Sequence, residues 1–327
     1  MKTSEPQNLN QPGNLAQPEE IISLRYVLIT PARDEAKLIG NTIKSVIAQT
    51  TKPVRWLIVS DGSTDGTDEI VKKFAAEHSW IELIRMPERS ARHFGGKANA
   101  FMAGYAKIHE LDFQIVGNLD ADITFDEDYY SFLLHKFHVN PRLGVAGTPF
   151  LEDNRTYDYR FTSLDHVSGG CQLFRRECFD SIGGYRPLKS GGIDLMAVLT
   201  ARFMGWQTQS FLGKSYNHHR KMGTAVRNGL ALKFHDGRGE YLLGVHPLWE
   251  IGRAAYHLRK SPYLLGGTCL LLGYFWAMFS RQPRSAPKEI IQFRHKEQLA
   301  RLRLIARRFL SFDKGVVSRP GPGQKGA

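Results

Sequence analysis

Gln114-Ile115-Val116-Gly117-Asn118-Leu119-Asp120-Ala121-Asp122 is the stretch whose reading decides the fold. It begins as an apolar run of strand length and ends in two carboxylates one residue apart. In an extended chain, residues two apart share a side, so Asp120 and Asp122 can converge at the strand's C-terminal end. That edge is where open α/β sheets bind ligands. Two hard oxygen donors with room for phosphates and water suit Mg²⁺ or Mn²⁺. Taken alone, the pair also fits a solvated acidic turn.

The same arrangement recurs upstream. Tyr26-Val27-Leu28-Ile29 and Trp56-Leu57-Ile58-Val59 are buried-strand runs, and Ile81 starts a third. Each of the first two runs into a polar loop and then a helix, over 38–49 and from about 68. Strand, polar loop and helix in alternation predict a parallel sheet with right-handed crossovers. The first loop is Thr30-Pro31-Ala32-Arg33-Asp34-Glu35 and the second Ser60-Asp61-Gly62-Ser63-Thr64-Asp65. A carboxylate at the position of Asp61 suits a base or ribose. After the third strand, Arg89, Arg92 and Lys97 flank Gly95-Gly96 ahead of a helix over 98–109, a ready anion site suited to a diphosphate.

Together these loops resemble the family-2 glycosyltransferases, inverting enzymes of the glycosyltransferase-A fold. The residues that carry the resemblance are Pro31-Ala32-Arg33-Asp34-Glu35, Asp61-Gly62-Ser63-Thr64-Asp65, Gly96-Lys97-Ala98-Asn99-Ala100 and Asp120-Ala121-Asp122. They follow the family's order over about a hundred residues, and the set is far more specific than its parts. The resemblance implies an α/β fold of the nucleotide-diphospho-sugar transferase type, a mainly parallel sheet flanked by helices. It also implies a nucleotide-sugar donor, probed by Pro31 to Glu35 and by Asp61. Asp120 and Ala121 would lie by the ribose, with Asp122, and Asp120 beside it, on a diphosphate-bound metal.

Further along, a helix is expected over 125–137 and a strand near Gly144-Val145-Ala146-Gly147. Asp165 to Tyr185, which contains Ser168 to Arg176, resembles the segment with which the family lines the acceptor side, a strand followed by a short helix and a turn. Gly191-Gly192-Ile193-Asp194 opens another helix. The family usually has Glu-Asp here, the Asp being the catalytic base. Asp194 keeps that position and is expected to be the base, while Ile193 replaces the first acid. An Asp in a first helical turn also favours the macrodipole, which explains the residue without catalysis. Tyr216-Asn217-His218-His219-Arg220-Lys221 follows a strand-like segment over 208–212. His219 is the expected third metal ligand, and Arg220 or Lys221 the cation on the diphosphate. The family's Gln-x-x-Arg-Trp motif is missing, which argues against a processive synthase of the cellulose or hyaluronan kind.

The C-terminal part differs in character. A helix over 225–234, a loop over 237–244 and a helix from His246-Pro247 are expected. The 18 residues from Tyr263 to Ser280 carry no charge. That is the short end of what spans a bilayer, and Arg259 and Arg281 flank both sides. An interface-lying or re-entrant helix is expected, with a single span as its rival. The net charge is +12, and from Arg281 onward twelve Lys or Arg face three acids, so the tail holds nine of those charges. A last helix over 288–310 repeats Arg294, Arg301 and Arg308 every seven residues. A basic amphipathic helix beside an apolar one suggests an anionic membrane surface. No nucleic-acid motif supports that competing partner.

The expected organisation is a disordered lead over 1–20, a catalytic domain over 21–245, membrane-associated helices over 246–312 and a disordered tail over 313–327. Residues 1–20 lack an apolar signal core, and Cys171, Cys178 and Cys269 show no CxxC spacing. Both observations favour the cytoplasmic face of a cell membrane. The expected function is metal-dependent transfer of a sugar, inverting its anomeric centre, from a nucleotide-sugar (UDP-linked by family habit) to a lipid-linked or polysaccharide acceptor. A nucleotidyltransferase of the same fold and a non-catalytic membrane-bound scaffold are the alternatives.

Overall fold

Alternation along the first strand divides the sheet's packing into two cores, one on each face. In the computed structural model, which describes residues 24–87, 95–152, 156, 162–188, 191–220, 229–259 and 263–312, Tyr26 and Leu28 face one side of the sheet, Val27 and Ile29 the other. The elements are β1 (Tyr26–Ala32), α1 (Ile39–Ile47), β2 (Arg55–Ser60), α2 (Thr67–Glu77), β3 (Ile81–Arg85), α3 (Gly95–Ile108), β4 (Ile115–Leu119), β5 (Ile123–Thr124), α4 (Tyr129–Val139), β6 (Leu143–Gly147), β7 (Phe150–Leu151), β8 (Cys171–Arg175), α5 (Arg176–Ser181), α6 (Ile193–Phe203), β9 (Gln207–Ser210), β10 (Tyr216–His218), α7 (Leu230–Leu242), α8 (Pro247–His257), α9 (Leu265–Phe279) and α10 (Lys288–Phe312). The strand order of the main sheet is β3-β2-β1-β4-β8-β6-β9. Its pairs are parallel except for β8, which runs antiparallel to both β4 and β6.

Helices cover both faces, which is why β1, β2 and β4 read as nearly unbroken apolar runs. Ile39 and Ile43 of α1, Val71 of α2 and Leu133 and Phe137 of α4 pack with Tyr26, Leu28, Trp56 and Ile58. On the other face Ala98, Phe101 and Tyr105 of α3, Phe179 of α5 and Val198 of α6 pack with Val27, Ile29, Leu57 and Val59. A second, three-stranded sheet of order β5-β10-β7 stands beyond the C-terminal end of β4.

Helices α7 to α10 form a unit of their own. Gly237 of α7 and Gly273 of α9 let the two helices cross in backbone contact, since a Cβ at either position would lie 1.9 Å from the other helix's carbonyl oxygen. The unit therefore begins with α7, so the expected boundary at 245 cuts through it, and the expected loop over 237–244 is largely helix. Glycine at 237 and 239 suggested a loop, but here Gly237 serves close helix packing. α10 docks on the sheet domain through Arg301 and Glu297, while Arg294 ties it to α7 within its own unit. Arg294 donates to Leu243 O at 2.8 Å, and Arg301 Nη2 meets Asp165 Oδ2 at 2.7 Å. Arg202 of α6 pairs with Glu297 through two bonds of 2.9 Å. Two of the three heptad-spaced arginines, expected to serve a membrane surface, form intramolecular ion pairs with acids of α7 and of the loop before β8. The side chain of Arg308 lies outside the described residues.

The uncharged run forms α9, of 15 residues. Its length of ~22 Å falls short of the ~30 Å hydrocarbon core. Among the described residues no helix is long and apolar enough to cross a membrane. Gly266, Gly267, Leu270, Gly273, Tyr274 and Ala277 face the bundle, and Leu265, Leu272, Trp276 and Phe279 are exposed along the opposite side. Residues 1–20, 221–228 and 313–327, with Arg89, Arg92 and Lys221, lie outside the described residues.

Candidate active site

The strand ends expected to bind ligands open into one cleft of about 550 Å³. Pro31, Ala32, Arg33 and Glu35 reach it from the end of β1, and Asp61 from the end of β2. Lys97 comes from the first turn of α3, and Asp120, Ala121 and Asp122 follow β4. The far wall is Ser168, Gly169 and Gly170 ahead of β8, with Gly192, Ile193 and Asp194 at the start of α6. His218 and Arg220 close it from β10. Of the expected site residues, Asp34 and His219 stay outside.

Asp34 braces the loops. It adopts φ 56°, accepts from Thr64 N–H at 3.0 Å and donates its own N–H to Ser63 Oγ at 3.2 Å. Asp65 accepts from Ala36 N–H at 2.9 Å in the same seam. Loops from β1 and β2 are thereby locked together, and Asp61 is left nearly buried, with 7% exposure, at the cleft floor.

The third-ligand expectation moves by one residue. His219 is exposed and its Nε2 lies 2.8 Å from Thr124 Oγ1, while its N–H donates to Asp122 O at 3.0 Å. It is His218 that turns into the cleft, with Nε2 3.6 Å from Asp122 Oδ1. Alternation sets residues 218 and 219 on opposite faces but leaves open which is inner; the burial of Tyr216 puts 218 on the cleft side.

Charges in the cleft are closely matched. Lys97 Nζ lies 2.5 Å from Asp120 Oδ1 and donates to Gly169 O at 3.3 Å. Burial alone would push the Lys97 ammonium down, but Asp120, Asp194 and Asp122 together hold it above its ordinary value. Burial pushes the Asp120 carboxyl up, against the pull of Lys97 and with the push of Asp122. Arg220, expected on the diphosphate, forms a two-bond fork with Glu35 and holds its Nε 3.8 Å from Asp122 Oδ2. Asp194 presses its carboxylate against Gly169, where a Cβ would lie 2.0 Å from Oδ2. Gly169 O also accepts from Asn118 Nδ2 at 2.8 Å. One glycine therefore touches the base candidate and links to Lys97 and the strand bearing the acid pair. Gly192 reaches φ 77° to turn the chain into α6 just ahead of Asp194.

Among the described residues no three carboxylate, imidazole or thiol groups stand close enough to cage an ion. The donors nevertheless fit Mg²⁺ or Mn²⁺ bound together with a diphosphate. Neighbouring ligands of an octahedral ion with bonds of about 2.1 Å lie about 3 Å apart, close to the Asp122–His218 spacing. Mg²⁺ usually takes only one or two protein carboxylates and completes its shell with phosphate and water. Asp122 and His218 would hold the ion, with Asp120 adjacent.

Residues 27–184 match the family described as Glycosyl transferase family 2. Poly-beta-1,6-N-acetyl-D-glucosamine synthase of Staphylococcus epidermidis is 28% identical over 136 residues, which are 41% of this chain and 31% of that protein. The synthase of Staphylococcus aureus strain COL is 27% identical over the same shares. The alignment thus spans under a third of the length of these curated relatives. Among solved structures, the Pyrobaculum calidifontis mannosyltransferase PcManGT, in complex with GDP-Man and Mn²⁺, superposes with a TM-score of 0.52. It is 17% identical, over 91% of this chain and 84% of that one. Residues 1–349 of S. aureus TarS give 0.51 at 13% identity, over 79% and 73%. At such identities the likeness shows the fold. Residues 27–184 thus resemble a family-2 glycosyltransferase domain, and the fold is of the glycosyltransferase-A type.

Proposed function

We propose that the protein transfers a sugar from a nucleoside-diphosphate sugar to a hydroxyl of a polysaccharide or lipid-linked acceptor, with inversion and with a divalent metal. The observation that carries this reading is the cleft itself, in which the acid pair after β4 and the acid at the start of α6 share one cavity joined through Gly169. The polysaccharide named for the staphylococcal synthases supports a glycan acceptor, and the donors named for TarS (UDP-GlcNAc) and PcManGT (GDP-Man) support a nucleotide-sugar.

In this reading the Pro31–Glu35 segment and Asp61 receive the nucleoside, and Asp120 and Ala121 border the ribose. Lys97 and Arg220 supply positive charge to the diphosphate. A bound Mg²⁺ or Mn²⁺, held by Asp122 and His218, would neutralise charge on the departing nucleoside diphosphate. Asp194 takes the acceptor proton, and the oxygen attacks the anomeric carbon from the face opposite the leaving group. This reading also takes the protein to rest peripherally, through α9, on the cytoplasm-facing leaflet of a membrane. The exposed Leu265, Leu272, Trp276 and Phe279, flanked by exposed Arg259 and Arg281, support an anionic lipid surface there.

The test is a panel of nucleotide-sugars offered with Mg²⁺ or Mn²⁺, reading nucleoside diphosphate release. Metal-dependent release with at least one donor is expected. Pyrophosphate in its place would make the protein a nucleotidyltransferase, and no turnover or binding across the panel would leave only a scaffold.

A further inference from the structure

His218 has an acid from a different part of the chain near each ring nitrogen, and its buried Nδ1 has no hydrogen-bond partner among the described residues. Its Nε2 faces Asp122 Oδ1 at 3.6 Å, and its Nδ1 lies 3.4 Å from Glu152 Oε2. All three side chains are largely shielded, at 12%, 10% and 21% exposure for His218, Asp122 and Glu152. The small sheet produces this alignment. β10 pairs antiparallel with β5, which follows directly on Asp122, and parallel with β7, which ends just before Glu152. The register sets His218 opposite Ile123, and Asn217 opposite Leu151. A central strand carrying the imidazole therefore runs between one strand that begins beside Asp122 and one that ends beside Glu152.

We infer that Glu152 is a positioning residue for the metal ligand. With its Oε2 only 3.4 Å from the unpartnered Nδ1, a small side-chain rotation lets it accept the Nδ1–H, fixing the tautomer whose Nε2 lone pair points into the cleft beside Asp122. A metal-bound imidazole almost always donates its other N–H to a carboxylate, carbonyl or water, and loss of that partner typically weakens metal binding 10–100-fold. Glu152 does not line the cleft, so its effect on the site passes through His218. The inference rests on the proposed metal dependence, and its first test does not.

That test reads the tautomer of His218 without metal, from ring-nitrogen chemical shifts at a pH where the imidazole is neutral. Wild type is expected to be protonated at Nδ1, and Glu152→Gln to lose that preference, with an unchanged circular dichroism spectrum. An Nε2–H tautomer in wild type, or an identical tautomer in the variant, would overturn the inference. Calorimetric titration with Mn²⁺ alone is the second arm. Glu152→Gln is expected to bind about 10–100-fold more weakly than wild type, and Glu152→Gln with His218→Ala no more weakly than His218→Ala alone. Equal Mn²⁺ affinity in wild type and Glu152→Gln would overturn the role of Glu152 and leave the metal reading standing. Absence of Mn²⁺ binding in wild type, even with pyrophosphate present, would overturn the metal reading instead.

Discussion

Asp194 can stand where it does because residue 169 is glycine. A methyl there would meet its Oδ2 at 2.0 Å, so Gly169→Ala must push the carboxylate aside. If Asp194 is the base, Asp194→Asn should lose about 10²–10⁴ in kcat with donor KM nearly unchanged. Gly169→Ala should show the same pattern in smaller measure. Steady-state assays of nucleoside diphosphate release check both, and near-wild-type kcat in Asp194→Asn would remove the base. Much of this scale was legible in sequence, since most of the expected residues line the cleft. The misplaced ones depended on orientation. His219 and His218 are chemically alike, and only the pairing of β10 says which faces inward. Ile193, standing where the family has an acid, is 6% exposed and packs with Val167 and Ala197, so the apolar core claims that position.

At the scale of the element, the crossing of α7 and α9 is decided by two glycines and can be tested against a third. Replacing Gly by Ala inside a helix is worth about 1 kcal/mol in propensity. At Gly239 nothing lies within 4 Å of an added Cβ, so Gly239→Ala should stabilise by roughly that amount. At Gly237 the Cβ would meet Leu270 O at 1.9 Å, and a backbone carbonyl cannot rotate away. Overpacking costs about 1–3 kcal/mol, so Gly237→Ala should destabilise. Urea denaturation of the two variants should therefore move in opposite directions; shifts of the same sign would refute the crossing. The same unit holds a buried acid. Glu250 is fully buried, neither carboxylate oxygen has a hydrogen-bond partner among the described residues, and Arg253 Nη1 is 3.7 Å away. Burial pushes its carboxyl up to about 7, from 4.5, against the pull of Arg253. The folded state then keeps a proton that the unfolded chain has released, so this group's stability contribution falls as pH rises from 4.5 to about 7. Glu250→Gln, neutral throughout, should gain stability relative to wild type between pH 5 and pH 8. Parallel stability–pH curves would show that Glu250 does not titrate in this window.

Across the whole molecule, a doubly covered sheet supplies the cleft, and a glycine-packed helical unit is bolted onto it by Arg202–Glu297 and Arg301–Asp165. Because those α10 cations are engaged, the proposed membrane contact falls on the outer side of α9. Each large apolar side chain contributes about 1.5–3 kcal/mol when fully buried, and 1.4 kcal/mol is tenfold in affinity. Leu272→Ser with Trp276→Ser should therefore cut binding to anionic vesicles by more than tenfold in a flotation assay, with Asp194-dependent turnover on a soluble acceptor retained. Undiminished flotation would move the contact elsewhere. The parallel strands, the polar loops at their C-terminal ends and the acids at β2, β4 and α6 were determined by the sequence alone. Those features are local: apolar runs, period and turn chemistry act within a few residues of one another. Tertiary structure alone decided which histidine enters the cleft, that Arg220 forks onto Glu35 from 185 residues away, and that Arg301 reaches back 136 residues to Asp165. Such pairings depend on which surfaces folding brings together, and no local pattern in the chain encodes the partner.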